Sequence, residues 1–210
     1  MKSLIITGGS INIEWLKTKL GSISYNLIIA VDKGLEALDL LCVKPNYIIG
    51  DFDSIDKTIK NKYKENIITL NPVKDFTDTH MALKLAIEKG STEIEIIGAI
   101  GTRQDHTIAN IHILKEALEN NVKCDIINEN NKIFLINKDV ELKKDEKYEY
   151  ISLIPLTTKA CGITLKGLKY TLNNQDLEIG RSIGVSNEQI EDIASISLKE
   201  GILIVIFSKD

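Results

Sequence analysis

Cysteine is too scarce and too scattered in this chain to cross-link it. Cys42, Cys124 and Cys161 lie far apart, are odd in number and form no Cys-x-x-Cys pair. That excludes a disulfide framework and the usual zinc spacings, and predicts reduced, buried thiols. Long apolar runs are missing too: none approaches the roughly 20 residues of a membrane-spanning helix. The opening Met1-Lys2-Ser3-Leu4-Ile5-Ile6 meets Gly8 and Gly9 before it reaches the length of a secretory apolar core. Positive charge is not in excess. Lys and Arg number 26 against 30 Asp and Glu, giving a net charge of −4 and a pI near 5.5. This balance argues against a nucleic-acid or anionic-membrane partner. Neither Gly-x-x-x-x-Gly-Lys-Ser/Thr nor Gly-x-Gly-x-x-Gly occurs, so the chain is neither an ordinary P-loop protein nor a dinucleotide fold. What is left is a cytoplasmic globular protein. Its 210 residues, 43% hydrophobic and 27% charged, suffice for one large or two small domains with a sizeable core.

What is present is a change of rhythm partway along. Up to about Asn128, short apolar runs (Leu4–Thr7, Leu27–Val31, Ile48–Gly50, Ile67–Leu70, Glu93–Gly98, Lys123–Asn128) alternate with segments of helical periodicity (Ile11–Leu20, Leu35–Cys42, Lys57–Lys64, Thr77–Lys89, Thr107–Asn121). Near-continuous apolar strands between amphipathic helices predict a parallel, Rossmann-like sheet covered on both faces. Ligands of such sheets bind beyond the carboxyl ends of the strands. After Glu129-Asn130-Asn131 the helical period disappears. Lys132–Ile136, Val140–Lys143, Tyr148–Leu156, Ile163–Leu172, Ala194–Leu198 and Ile202–Phe207 read as strands joined by Gly, Asn and Lys-Asp-Glu turns. The expected organisation is an α/β domain over 1–128 followed by a small all-β domain over 129–210.

Three polar clusters fall at strand ends. In Gly50-Asp51-Phe52-Asp53-Ser54, an extended backbone puts Asp51 and Asp53 on one side. Carboxylates held that close repel unless a cation lies between them, and a hard ion such as Mg²⁺ takes one or two carboxylates plus water and phosphate oxygens. A polar turn in which Asp51 or Ser54 caps the next helix is the plainer alternative. In Lys74-Asp75-Phe76-Thr77-Asp78, Asp75 as N-cap and Asp78 as an acid of the first turn form a variant capping box. That role is compatible with metal binding. In Gly98-Ala99-Ile100-Gly101-Thr102-Arg103-Gln104-Asp105-His106, two glycines allow a loop with exposed N–H groups able to hold a phosphate. Arg103 adds a forked donor for the same oxygens. Asp105 is a candidate cap for the following helix, and His106 and Asn110 share one helix face at i and i+4. Taken together, the clusters point to metal-assisted chemistry on a nucleotide phosphate.

The ordered set Gly-Asp-Phe-Asp-Ser (50–54), Lys-Asp-x-Thr-Asp (74–78) and Gly-x-Arg-x-Asp-His-Thr-x-Ala-Asn (101–110) resembles the thiamine pyrophosphokinase family. Ser186-Asn187-Glu188 and the Ile193–Ile206 strand pair resemble that family's closing region, so the likeness spans nearly the whole chain. It implies an α/β catalytic domain, a β-sandwich, and a homodimer with thiamine sites in clefts between subunits. The implied reaction moves a pyrophosphoryl group from Mg·ATP to the thiamine hydroxyl and leaves AMP. By position, Asp51, Asp53 and Asp78 resemble the magnesium and phosphate-handling carboxylates, and Asp32 an acid facing substrate or metal. Lys74 accompanies them in the second motif. Arg103, Asp105, His106, Thr107 and Asn110 resemble the nucleotide-side loop and its helix, while Ser186 and Asn187 resemble thiamine contacts across the dimer. Thr102 stands where a second glycine is frequent and His80 where a glutamate is common. Two rival readings are a glycosyltransferase, in which Asp-x-Asp also holds a metal and a nucleotide diphosphate, and a non-catalytic nucleotide- or thiamine-binding regulator.

Overall fold

The computed structural model describes residues 1–50, 57–63, 67–68 and 76–210. The chain divides into two compact units, Met1–Glu129 and Asn130–Asp210. The first runs β1 (Lys2–Ile6), α1 (Ile13–Ser22), β2 (Leu27–Val31), α2 (Gly34–Leu40), β3 (Tyr47–Ile49), α3 (Lys57–Lys62), β4 (Ile67–Ile68), α4 (Asp78–Glu88), β5 (Glu93–Ile97), α5 (Gln104–Glu119) and β6 (Lys123–Ile127). Its strands pair in parallel in the order β4-β3-β2-β1-β5-β6. The chain steps outward from β1 to β4, and α4 then carries it back to the other side of β1. The strand order therefore reverses between β1 and β5, the place where sheets of this kind bind ligands.

Alternation along the strands fixes both faces. Leu4 and Ile6 of β1, Ala30 of β2 and Ile48 of β3 pack with Leu16 of α1, Leu35 and Leu38 of α2, and Tyr63 beyond α3. Each such side chain contributes about 1.5–3 kcal/mol when fully buried. The alternate residues of β1 meet the α4 side, where the Ser3 hydroxyl lies 2.6 Å from that of Ser91 and the Thr7 hydroxyl 3.1 Å from that of Thr79. Two buried acids, Glu95 of β5 and Asp125 of β6, interrupt this apolar pattern. Glu95 of β5 takes the Tyr25 hydroxyl at 2.5 Å, Lys19 Nζ at 2.9 Å and Lys2 Nζ at 3.0 Å.

The second unit holds β7 (Asn131–Ile136), β8 (Val140–Lys143), β9 (Tyr150–Pro155), β10 (Lys159–Lys166), β11 (Gln175–Glu178), β12 (Ile193–Ser197) and β13 (Leu203–Ser208). β13 pairs antiparallel with β7 and β9, and a second antiparallel sheet has the order β11-β10-β12-β8. Ile151, Leu153, Leu203 and Val205 from the first sheet share one core with Ala160, Ile163, Leu165 and Ile196 from the second. This is the expected sandwich.

Local boundaries depart from the sequence reading for identifiable reasons. The side chain of Thr77 caps α4 by accepting the His80 N–H at 3.3 Å, while Asp75, the expected cap, lies outside the described residues. α5 begins at Gln104 with Arg103 at the cap position, so Asp105 lies in the first turn and does not cap the helix. β10 starts at Lys159 and stops at Lys166, because Gly167 takes a left-handed turn at φ 72°. β11 went unforeseen.

Candidate active site

The site is built from the loops that leave the carboxyl ends of the parallel strands. β1 and β5 do not part where their strands end. After the Thr7 N–H donates to Ile97 O at 2.8 Å, Gly9 N–H donates to Gly98 O at 2.8 Å and Ser10 N–H to Ile100 O at 2.9 Å. Only a residue without a side chain fits this seam, since a Cβ on Gly9 would lie 2.2 Å from Gly98 O. The two loops thus make a main-chain floor. They do not offer the open nest that the glycine spacing predicts, because Gly101 N–H is itself taken by Thr107 Oγ1 at 3.2 Å.

Beside this floor, Asp32 follows β2 in a left-handed backbone conformation, φ 48°. Aspartate tolerates that region better than most residues, and such outliers concentrate at functional sites. Its N–H donates to Ile49 O at 3.1 Å, and its carboxylate occupies the space above Gly50, where a Cβ would come within 2.2 Å of Oδ1. Gly50 is therefore required both to leave β3 and to make room for this acid. Asp51 and Asp53 follow it directly but lie outside the described residues, as does Lys74. Asp78 opens α4, and the neighbouring Thr79 hydroxyl ties that first turn to Thr7, just past β1. His80, one residue on, is hydrogen-bonded through Nε2 to Glu116 of α5 and packs edge-on against Phe76, with ring centroids 4.7 Å apart. Burial would raise the Glu116 carboxyl, but the hydrogen bonds from His80 and Lys84 outweigh it and hold the group below the usual range.

The nucleotide-side residues divide into two groups. Arg103 and Asp105 form a forked ion pair on the surface, Nη2 to Oδ2 at 2.6 Å and Nε to Oδ1 at 3.2 Å. The guanidinium pulls the Asp105 carboxyl down to about 2. His106 is exposed beside them, and Thr107 is half-buried with its hydroxyl donating to Arg103 O at 3.3 Å. Asn110 points inward: it is buried, and its Nδ2 donates to Ala99 O at 2.9 Å, fastening α5 to the floor loop. The structure thus assembles Asp32, Gly50, Asp78, Arg103, Asp105, His106 and Thr107 along the carboxyl edge of the first unit.

Ser186 and Asn187 belong to the second unit. Ser186 is exposed with φ 57°, while Asn187 is buried and spends its amide on neighbouring main chain. The contributions of Thr7, Thr79 and Glu116 to the first unit were not legible as site features. Only the hydroxyl ending the β1 run, just before Gly8-Gly9, signalled anything.

The donor chemistry of this edge suits a hard cation, because Asp32 and Asp78 offer carboxylate oxygens and the three cysteines stand elsewhere. Among the described residues no three His, Cys, Asp or Glu side chains converge.

Comparison with known proteins matches both units in order. Residues 22–127 match the family model for the thiamin pyrophosphokinase catalytic domain, and residues 138–203 the model for its vitamin B1 binding domain. A thiamine pyrophosphokinase of Bacillus subtilis is 36% identical over 190 residues, covering 89% of each chain. A crystal structure of thiamine pyrophosphokinase from the same species superposes with a TM-score of 0.90 at 33% identity, covering 100% of both chains. That of thiamin pyrophosphokinase from Geobacillus thermodenitrificans gives 0.87 at 27% identity, covering 100% of this chain and 98% of that one. Neither the glycosyltransferase reading nor the binding-regulator reading finds support in these relatives. The chain belongs to the thiamine pyrophosphokinase family.

Proposed function

We propose that this protein transfers a pyrophosphoryl group from Mg·ATP to the hydroxyl of thiamine, giving thiamine diphosphate and AMP. The observation that carries the reading is the ordered match of both units to the catalytic and vitamin B1 binding domains. Catalysis of this kind asks the protein mainly for positioning and charge neutralisation. Asp51, Asp53 and Asp78 would hold magnesium, whose hard oxygen preference fits them; when bound, the ion neutralises charge developing on the phosphate oxygens. Asp32, fixed over Gly50, presents a further carboxylate to the same edge. Arg103 and Lys74 supply cations for the remaining phosphate oxygens, and His106 and Thr107 flank them. A new bond forms between the thiamine oxygen and the β-phosphorus as the bond from that phosphorus to the α-β bridging oxygen breaks. The hydroxyl proton passes to one of Asp51, Asp53 or Asp78. An acidic edge also favours capture of thiamine, which carries a cationic thiazolium.

Two further parts of the reading follow from the family. The functional molecule is a homodimer in which Ser186 and its loop complete the thiamine cleft, and it works in the cytoplasm. A reducing compartment suits the three free thiols, of which only Cys124 is buried as the sequence predicts, Cys161 being half-buried and Cys42 exposed. No helix among the described residues is long and apolar enough to cross a membrane. The deciding experiment incubates the protein with ATP, Mg²⁺ and thiamine and reads the products by mass spectrometry. AMP with thiamine diphosphate is expected; ADP with thiamine monophosphate, or no thiamine product, would overturn the reading. Sedimentation of the same sample should give twice the 23.4 kDa chain mass.

A further inference from the structure

Asn187 has a chemical position unlike that of a ligand contact. It is buried, 4% exposed, in a loop whose neighbours Ser186 and Val185 are open to solvent. Its Oδ1 accepts the N–H of Tyr170 and that of Glu188, each at 2.9 Å, and its Nδ2 donates to Tyr170 O at 2.7 Å. Its main chain is held as well, by reciprocal bonds with Ile151 of β9 at 2.8 and 2.9 Å. One residue earlier, the Ser186 N–H donates to the hydroxyl of buried Ser152, also on β9, at 3.0 Å. The segment carrying Ser186 is thus fastened to β9 from below, and sideways to the turn that follows β10. These bonds keep Ser186 in its left-handed conformation, a region a serine enters only when its surroundings impose it.

We infer that Asn187 and Ser152 are positioning residues for thiamine use, acting through the backbone of Ser186 and the Lys169-Tyr170 turn without touching the substrate. The inference rests on the thiamine pyrophosphokinase reading of the site. It assigns Ser152 a role that no motif indicated, and it moves Asn187 from the binding surface to the frame behind it. Both side chains lie within one unit and serve one loop, so their losses are coupled.

The test compares wild type, Asn187→Ala, Ser152→Ala and the double variant as full-length proteins. It measures KM for thiamine, KM for ATP, kcat, and thiamine affinity by calorimetry without nucleotide. Asn187→Ala should raise KM and Kd for thiamine about tenfold or more, the scale expected when buried hydrogen-bonding partners are left unmatched, with KM for ATP within about twofold of wild type. Ser152→Ala, the milder change, should move the same two constants in the same direction by about threefold to tenfold. The double variant should fall well short of the product of the single effects, because coupled sites are non-additive. A thiamine defect in Asn187→Ala with Ser152→Ala indistinguishable from wild type would assign Asn187 to direct contact and overturn the inference. Equal loss of ATP and thiamine affinity in both variants would overturn it too, marking a general folding role. If Asn187→Ala does not fold, Ser152→Ala alone decides on the same split. A folded wild type that makes no thiamine diphosphate sinks the functional reading and this inference together, an outcome distinct from variant failure on an active parent.

Discussion

Gly50 shows how much of the site one missing side chain controls. A methyl at that position would reach within 2.2 Å of Asp32 Oδ1 and 3.4 Å of Asp32 N, on a backbone with φ 149°. Gly50→Ala should therefore displace the Asp32 carboxylate and lower kcat by about 100-fold, the scale of a misplacement near 1 Å, while the protein still folds. Steady-state rates and a thermal unfolding curve check this; a folded variant within threefold of wild type would remove Asp32 from the chemistry. Arg103 poses a different problem at this scale. Its guanidinium is already engaged by Asp105, so phosphate must compete with a carboxylate for the same fork. The candidate acids at the strand ends could be picked out in the sequence because Asp after an apolar run is a local signal. Thr79 could not, since its partner Thr7 lies 72 residues away and the Thr79 hydroxyl does not stand out in its own neighbourhood.

Elements behave according to how far their neighbours dictate them. The strands of the first unit were legible because burial on both faces demands continuous apolar runs. β11 was not: in Gln175-Asp176-Leu177-Glu178 only Leu177 is buried, and the strand exists because β10 pairs with it. α5 starts three residues before the apolar period does, because Thr107 and Gln104 bond the Arg103 and Gly101 carbonyls and extend the first turn. Farther along that helix, Asn110 holds the floor loop by a single buried hydrogen bond to Ala99 O. Asn110→Ala leaves that carbonyl unmatched and should cost about 1–3 kcal/mol of stability, read from urea unfolding. KM for ATP should rise with it, because the loop it secures carries the phosphate side of the edge. An unchanged denaturation midpoint would show that water replaces the amide.

For the molecule as a whole, Glu95 is one of the carboxylates through which stability depends on acid. Burial works to raise its carboxyl, yet hydrogen bonds from Tyr25, Lys19 and Lys2 win and hold it below the ordinary range, while burial and Glu95 together push the Tyr25 phenol upward. A lowered folded-state value means stabilisation present above the unfolded carboxylate range, near 4, and lost as pH falls through the folded value. The raised phenol works the other way: its contribution is complete below about pH 10 and disappears as alkali ionises it. Urea titrations from pH 3 to 8 should show wild-type stability falling below about pH 4, and Glu95→Gln should be less stable at pH 7 with a flatter acid slope. Equal acid slopes in the two proteins would place the titrating groups elsewhere. The two-part architecture itself was legible, because loss of helical period after Asn128 is a property of many residues at once.

The main-chain floor has a consequence for heredity. Codons for Gly9, Gly34 and Gly98 specify positions where any side chain would meet a carbonyl oxygen at 2.0 to 2.2 Å. A missense change there is expected to disturb the fold of the first unit, whatever residue it introduces. On the proposed reading, descendants of this gene that come to favour another phosphate donor would write the change elsewhere, in residues such as the exposed Arg103, Asp105 and His106. Variation is then expected at the exposed rim sooner than in the base beneath it.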